Sequence, residues 1–561
     1  MTAHRITRGF AWNHLYKLVE YGGLALYAIL VGRKFGPELN GSYAVFLSIC
    51  GTLAIVGAFA VDGVLLRYLP RILRGELTFG EAKVEGIRPF LIELLAFRLF
   101  VTLVLITVLI LVLAVLPIYF PSFSLSLGNI RSLWPYFVIY LLGQALVAFS
   151  TFTLIGILQI KWVFYASLSS RAALLLAGLL WIYLGNFSLE GAVSLFAFSA
   201  VLNGALLLYW VNRHVEHESS RGLKKEFNHF RKRLAGYASN PSRIRMFILL
   251  PFMLYGVTTW GNDILSTVLG RQPDILMMRA LLGENARDIG LYHAASMLAQ
   301  MTEYIFLFGL GGALVSVFSE LAHDDEQNAL TQKDKTPFRL NYPRLMNARR
   351  EIAGYQTVVT TPAFTFMMAF SPLVIEVIYG HKYTGAEHLL FASLILQTIT
   401  VVVFGGGMHV TSLVAIGKER VVFVNRLSWG LLNLVVNYFL IQSYGGLGAI
   451  IGTQCANAGA CATESFLTTR WIGQSLQPAR TAAILAIVTV SVLFTYFAIN
   501  IFGAGIPIVF RLLVAGILMA FLTGSGYTIF KIPEARKAFD KIRSLFGNSG
   551  NGNIESVSVA P

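Results

Sequence analysis

Residues 36–44 read GPELNGSYA and residues 283–294 read GENARDIGLYHA. In each stretch one glycine closes a long apolar run, and a second glycine, followed two residues later by tyrosine, opens the next. The pairs are Gly41 with Tyr43 and Gly290 with Tyr292, 249 residues apart. A second set of anchors lies further on, where Lys161, Gly191 and Ala192 correspond to Lys418, Gly448 and Ala449 at an offset of 257. Recurrence at a nearly fixed offset is the mark of an internal duplication. Each copy holds six apolar runs, an even number, so both copies face the same way and an axis along the membrane normal relates them.

Working outward from these anchors, apolar runs fall at 10–34, 42–66, 90–116, 134–159, 163–184, 190–212, 247–282, 290–319, 353–379, 386–416, 421–442, 447–469, 481–502 and 506–530. Each is near or above the roughly 20 helical residues that cross a hydrocarbon core of roughly 30 Å. Hydrophobic residues make up 56% of the 561 and charged residues 13%, whereas soluble domains carry about a quarter charged residues. The fold class expected is therefore an all-α polytopic membrane protein of about fourteen transmembrane helices. It has two six-helix lobes related by a pseudo-twofold axis, followed by two C-terminal helices. The expected divisions are an N-terminal lobe at 1–212, a basic linker at 213–245, a C-terminal lobe at 246–470, two helices at 471–530 and a tail at 531–561 whose Gly-, Ser- and Asn-rich end points to disorder. The seventh run is too long for one straight crossing, and Pro273 inside it is expected to kink or break the helix.

The net charge of +15 raises the question of a nucleic-acid partner, and its distribution answers it. With a cytoplasmic N-terminus, Lys and Arg gather in the segments on that side, Lys224, Lys225, Arg231, Lys232 and Arg233 of the linker among them. That bias is topogenic and predicts cytoplasmic termini in an inner membrane rather than a nucleic-acid partner. The basic residues Arg5 and Arg8 before the first run imitate a secretory signal, but Lys17 and Glu20 interrupt the run and no small-residue cleavage site follows, so the segment is read as an uncleaved span. Cys50, Cys455 and Cys461 lie in apolar runs with no paired spacing, which fits small packing residues rather than a metal site or a disulfide framework.

Charge at membrane depth costs about 2.5–3.5 kcal/mol on insertion scales, so each such residue needs a partner, a cavity or a task. Asn13, Lys17 and Glu20 follow a spacing of four and three on the first run, and Thr267, Arg271 and Asp274 repeat it on the seventh, each set on one helical face. Lys17, Arg98, Arg171 and Arg271 are the candidate phosphate-binding cations, since Arg in particular stays charged when buried and grips phosphate bidentately. Glu20 and Asp274 are the candidate ion-coupling carboxylates. Asp62, Glu93, Arg426 and Glu464 lie near run ends, where pairing or snorkelling is expected. No Walker loop, no His pair on an apolar run and no large external loop occurs, so the sequence offers no catalytic residues, metal site or cofactor site.

Four stretches carry a resemblance. They are Gly36, Pro37, Gly41 and Tyr43; Asp274 with Gly283, Gly290 and Tyr292; Tyr379, Gly380, Lys382, Tyr383, Gly385 and Ala386; and Gly417 and Lys418 leading to Asn433, Asn437, Gly445, Gly448 and Ala449. In order and spacing the chain resembles the polysaccharide transporters (Wzx-type oligosaccharide flippases) of the multidrug, oligosaccharidyl-lipid and polysaccharide (MOP) exporter superfamily. The resemblance implies two lobes in a V around a central cavity, alternating access, a polyprenyl-diphosphate-linked oligosaccharide as substrate, and a coupling ion, proton or sodium. A polysaccharide polymerase or assembly machinery is the expected protein partner. A multidrug cation antiporter of the same fold, a peptidoglycan-precursor flippase and, from another class, a membrane glycan polymerase or acyltransferase are the alternatives. The topology is testable by reporter fusions: those after residues 230 and 545 are expected to report the cytoplasm and that after residue 38 the outside. An external signal at 230 would contradict both the topology and the duplication.

Overall fold

A computed structural model describes residues 3–73, 78–79, 82–83, 87–119, 132–157, 159–218, 246–283, 285–306, 310–331, 342–474, 477–503 and 505–536. The linker at 219–245 and the tail at 537–561 lie outside them. Apart from a two-residue antiparallel pair, Thr78–Phe79 with Ala82–Lys83, the regular elements are helices. Before the linker come α1 (Ala3–Phe35), α2 (Pro37–Ala58), α3 (Val61–Leu73), α4 (Ile87–Tyr119), α5 (Trp134–Gly156), α6 (Ile160–Tyr183) and α7 (Leu189–Glu218). After it come α8 (Met246–Val268), α9 (Arg271–Leu282), α10 (Ala286–Phe306), α11 (Leu310–Thr331), α12 (Pro343–Ala369), α13 (Ser371–Tyr379), α14 (Ala386–Thr398), α15 (Met408–Ala415), α16 (Glu419–Trp471), α17 (Pro478–Phe502) and α18 (Ile508–Ile529).

Among the described residues, ten helical segments are long and apolar enough to cross a membrane, or eleven if α12 and α13, bent 78° to one another, form one span. The seventh and eighth expected runs are each carried by two shorter helices, α8 with α9 and α10 with α11. The eleventh and twelfth are the two arms of α16. Its 53 residues would measure about 80 Å if straight, far more than one crossing needs, and Gly445 turns it back at φ 56, ψ −130. That conformation suits glycine because it has no Cβ. The arms then run antiparallel: Asn437 Nδ2 meets Thr453 Oγ1 at 2.9 Å, Trp429 Nε1 meets Thr463 Oγ1 at 3.3 Å, and Asn425 Nδ2 reaches the Ala460 carbonyl at 3.1 Å. Gly448 is required at the tip, where a Cβ would lie 2.0 Å from the Leu440 carbonyl oxygen.

In lipid, helices associate by close packing rather than by withdrawing apolar surface from water, so small residues mark the contacts. At the end of the bundle holding the glycine turns, a core of Tyr27, Tyr43, Phe46, Phe137 and Leu174 continues without a break into Ile275, Met278, Tyr292 and Ile441 of the second half. The two halves meet there through α2 and α10, and the contact is reciprocal. A Cβ on Gly41 would stand 1.9 Å from the carbonyl oxygen of Ala286, and one on Gly290 would stand 1.8 Å from that of Pro37. Residues 41 and 290, like 37 and 286, are 249 apart, so the duplicated glycines pack on each other's helix starts as a twofold axis requires. At the opposite end α8 packs on α2 and α3. Trp260 Nε1 donates to the Ile55 carbonyl at 2.9 Å, and a Cβ on Gly63 would lie 2.4 Å from Thr259 Oγ1. The halves are thus in contact at both ends.

Overpacking of a tight contact destabilises by about 1–3 kcal/mol or more. Gly41→Ala and Gly290→Ala are expected to lower the melting temperature or the yield of folded protein. Gly22→Ala, at a site with nothing within 4 Å, should behave as wild type. Equal behaviour of all three would contradict the packing.

Candidate functional site

The seventh span breaks between Val268 and Arg271, ahead of the expected kink at Pro273. The proline explains the displacement. Its ring clashes with the carbonyl four residues earlier, at Leu269, so the helix ends before it, and Pro273 itself falls in the first turn of α9, where a missing N–H costs nothing. The break leaves carbonyls of α8 to be satisfied, and both arms of α16 supply the donors. Asn433 Nδ2 donates to the Val268 carbonyl at 3.1 Å and Asn457 Nδ2 to the Leu269 carbonyl at 2.8 Å. The start of α9 differs: its N-cap is Gly270, which has no side chain with which to cap the first turn.

Asp274, in the first turn of α9, is completely buried. The Tyr292 hydroxyl donates to its Oδ2 at 2.6 Å, and Asn437 Nδ2 and the Thr453 hydroxyl reach its Oδ1 at 2.8 and 2.7 Å. These three partners are neutral. Thr453 Oγ1 lies also 3.2 Å from Asn433 Oδ1, and a Cβ on Gly452 would stand 1.9 Å from Asn437 Oδ1, so the cage closes only over glycine at that position. Oxygen atoms of Asp274, Asn433 and Thr453 lie together there, while Asn437 presents its Nδ2 to Asp274. Among the described residues no group of three or more His, Cys, Asp or Glu is placed to hold a metal ion.

The remaining candidates separate into distinct places. Arg171 of α6 grips Glu20 of α1 with both arms, Nε to Oε2 at 3.1 Å and Nη2 to Oε1 at 2.5 Å, while its Nη1 reaches Ser199 of α7 at 3.2 Å. Gly23 makes the approach possible, since a Cβ there would lie 2.7 Å from that of Arg171. Lys17 shares the α1 face with Glu20, but the acid is held by Arg171 rather than by Lys17. Arg98 of α4 is buried and paired with Asp62 of α3. Arg271 is the first residue of α9, three residues before Asp274. Arg426 pairs with the buried Glu464 at 3.3 Å, so Asp62, Arg426 and Glu464 are paired, as their positions near run ends lead one to expect.

The two ion-coupling candidates therefore differ in kind. Glu20 has a fixed counter-ion, and Asp274 has a cage of neutral donors. The cage residues Tyr292, Asn437 and Thr453, and Asn457 at the break, were not among the site candidates that the sequence offered. The available signal was Asn433 and Asn437, four apart on one face of an apolar run, where an amide also needs a partner.

No family model matches the chain, and no curated protein matches it in sequence. Solved structures do match its fold. Lipid II flippase MurJ in an inward closed conformation superimposes with a TM-score of 0.60 at 14% identity, covering 94% of this chain and 98% of that one. A multidrug resistance MATE family transporter of the MOP superfamily, inward-facing, gives 0.55 at 17%, covering 81% and 94%. A MOP superfamily transporter from Pyrococcus furiosus gives 0.53 at 17%, covering 85% and 96%. The chain is a multi-pass membrane protein with the helical fold of MOP-type transporters and flippases.

Proposed function

We propose that this protein is a flippase that moves a polyprenyl-diphosphate-linked oligosaccharide across the cytoplasmic membrane by alternating access, for assembly of a surface polysaccharide, with a proton or sodium ion as the coupling cation. Its lobes are 1–212 and 246–470, joined by a cytoplasmic linker, with both termini cytoplasmic. The observation that carries the reading is the first turn of α9, where Arg271 and the neutrally caged Asp274 stand three residues apart. A cation taken up at Asp274 compensates a charge that meets only neutral hydrogen-bond donors among the described residues, and a phosphate of the substrate finds Arg271 in the same turn. Arg98 and Arg171 are paired with Asp62 and Glu20; Arg271, at the first turn of the broken helix, is the assigned phosphate-binding cation, with Lys17 second. In alternating access the glycine contact of α2 with α10 and the contact of α8 with α2 and α3 serve as the outer and inner closures.

The fold match to a lipid II flippase over nearly its whole length gives a second reading, a peptidoglycan-precursor flippase. Deletion distinguishes them: the first predicts loss of surface glycan with an intact wall, the second a wall defect. Loss of a polymerase, by contrast, leaves single repeat units exported.

Three variants test the assignments. Arg271→Ala is expected to abolish glycan export at near-normal protein abundance, and Arg271→Lys to rescue only in part, because bidentate geometry is lost. Asp274→Asn should transport without dependence on the ion gradient; unchanged dependence would remove Asp274 from coupling. Arg171→Met alone strands Glu20 and, as for other broken buried pairs, should cost about 3–5 kcal/mol of stability. Adding Glu20→Gln should restore abundance, which is the outcome for a structural pair. A double variant as unstable as the single one would contradict the pairing.

A further inference from the structure

The two halves carry matching corners at the end of the bundle away from the glycine turns. In the first half Trp162, in the first turn of α6, and Trp210 of α7 stack with ring centres 3.6 Å apart, and each ring holds a cation. Lys161 Nζ lies 5.0 Å from the Trp162 ring centre and Arg213 Cζ 5.5 Å from that of Trp210. The His214 ring packs against the same two rings at 5.6 and 6.1 Å. In the second half Lys418 Nζ lies 5.5 Å from the Trp471 ring centre. Lys161 and Lys418, Arg213 and Arg470, and His214 and Trp471 all stand 257 residues apart, the offset of the glycine and alanine anchors. Two cations and an aromatic ring have therefore kept their register in both halves, while the polar stripes of the lead helices have not. Topogenic charge alone does not require this, because a Lys or Arg anywhere in a flanking segment orients a span. Lys161 is instead the second residue of α6, and Lys418 immediately precedes α16, so both stand where the positive end of the helix dipole disfavours a cation. Among the described residues none of the four cations forms an ion pair. The flanks beside the corners are apolar and exposed, through Tyr165 and Leu168 of α6, Tyr209 of α7, and Leu431 and Phe466 on the two arms of α16.

We propose that the two corners bind anionic phospholipid headgroups, with phosphate against the Lys and Arg and acyl chains along the exposed faces of α6 and α7 or of the two arms of α16. The aromatic rings hold the cations in place, which lowers the conformational entropy lost when a phosphate is captured. The phosphate in turn supplies the counter-charge that the four cations lack, through charge-assisted hydrogen bonds. The lipid-facing flanks favour a lipid over a free anion, since only a lipid also covers the apolar surface beside the charge. In the proposed topology the corners lie in the cytoplasmic leaflet, the anionic one. Glu419 follows Lys418 in the second corner, and its charge opposes an anion there. The first corner, where Ile160 and Trp162 flank the lysine, is therefore the tighter of the two.

The test uses the purified full-length protein in detergent, titrated separately with phosphatidylglycerol, phosphatidylcholine and inorganic phosphate, with the melting temperature as readout. Wild type is expected to be stabilised by phosphatidylglycerol well beyond phosphatidylcholine, and little by phosphate. Lys161→Gln with Arg213→Gln should lose more than half of the phosphatidylglycerol-specific shift, and adding Lys418→Gln and Arg470→Gln should abolish it. Because the four side chains are exposed, the fourfold variant should melt as wild type does in phosphatidylcholine. Lys161→Arg, which keeps the charge, should keep the shift. Equal shifts with the two lipids in wild type, or a full phosphatidylglycerol shift in the fourfold variant, would overturn the sites and leave the cations topogenic only. A shift with inorganic phosphate as large as that with phosphatidylglycerol would assign the corners to a free anion and overturn the lipid source. A fourfold variant destabilised equally in both lipids would make the cations structural and overturn the proposal as well.

Discussion

Asp274 is completely buried and held by three neutral hydrogen-bond donors, and much of the second half of the molecule is built around that carboxylate. A carboxylate inside a membrane bundle is tolerable only where its lone pairs meet donors. Here the donors come from α10 and from both arms of α16. Bringing two arms of one helix to a single carboxylate requires the hairpin at Gly445, the close tip at Gly448, and a residue without a side chain at Gly452. The same arms then reach back through Asn433 and Asn457 to hold open the break between α8 and α9. Carboxylate, hairpin and broken helix form one unit, in which a change at any member disturbs the others.

The duplicated halves have kept the frame and changed the chemistry. The frame persists where Gly41 and Gly290 pack on each other's partner helices with the symmetry of the repeat. The polar stripe of the lead helix has diverged. In the first half Glu20 is gripped bidentately by Arg171, and a pair of that kind, once desolvated, is a static strut. In the second half the three hydrogen-bond partners of the carboxylate are neutral. Among the described residues, the carboxylate of the first lead helix is ion-paired, and that of the seventh span is held by neutral hydrogen-bond donors.

Much of the architecture was legible in the sequence, because in lipid a span must satisfy its own backbone and so advertises itself as an apolar run. The arms of α16 appear as two runs at 421–442 and 447–469, and the asymmetry-breaking linker and the glycine anchors are visible without coordinates. Asp274 and Glu20 stood out because ionisable residues at membrane depth are rare. The cage did not, since Asn437 and Thr453 are 163 and 179 residues from Asp274 in the chain and no local spacing announces such a meeting. The point of breakage was missed for a different reason: a proline marks where a helix cannot continue, yet the helix stops ahead of it and the proline begins the next one. The four cations looked alike in the sequence, and only the fold shows that Arg98 and Arg171 meet acids.

The central claim is that Asp274 carries a charge answered by an exchangeable cation rather than by the protein. Melting of purified protein across a sodium titration and, separately, across a pH series tests it without any substrate, because a ligand that binds the folded state raises its stability with concentration. The account predicts that sodium or protons raise the melting temperature of wild type, and that Asp274→Asn, neutral from the outset, is stable without them and loses the response. A wild-type protein that answers to neither cation, or an Asp274→Asn protein that still responds as wild type does, would contradict it.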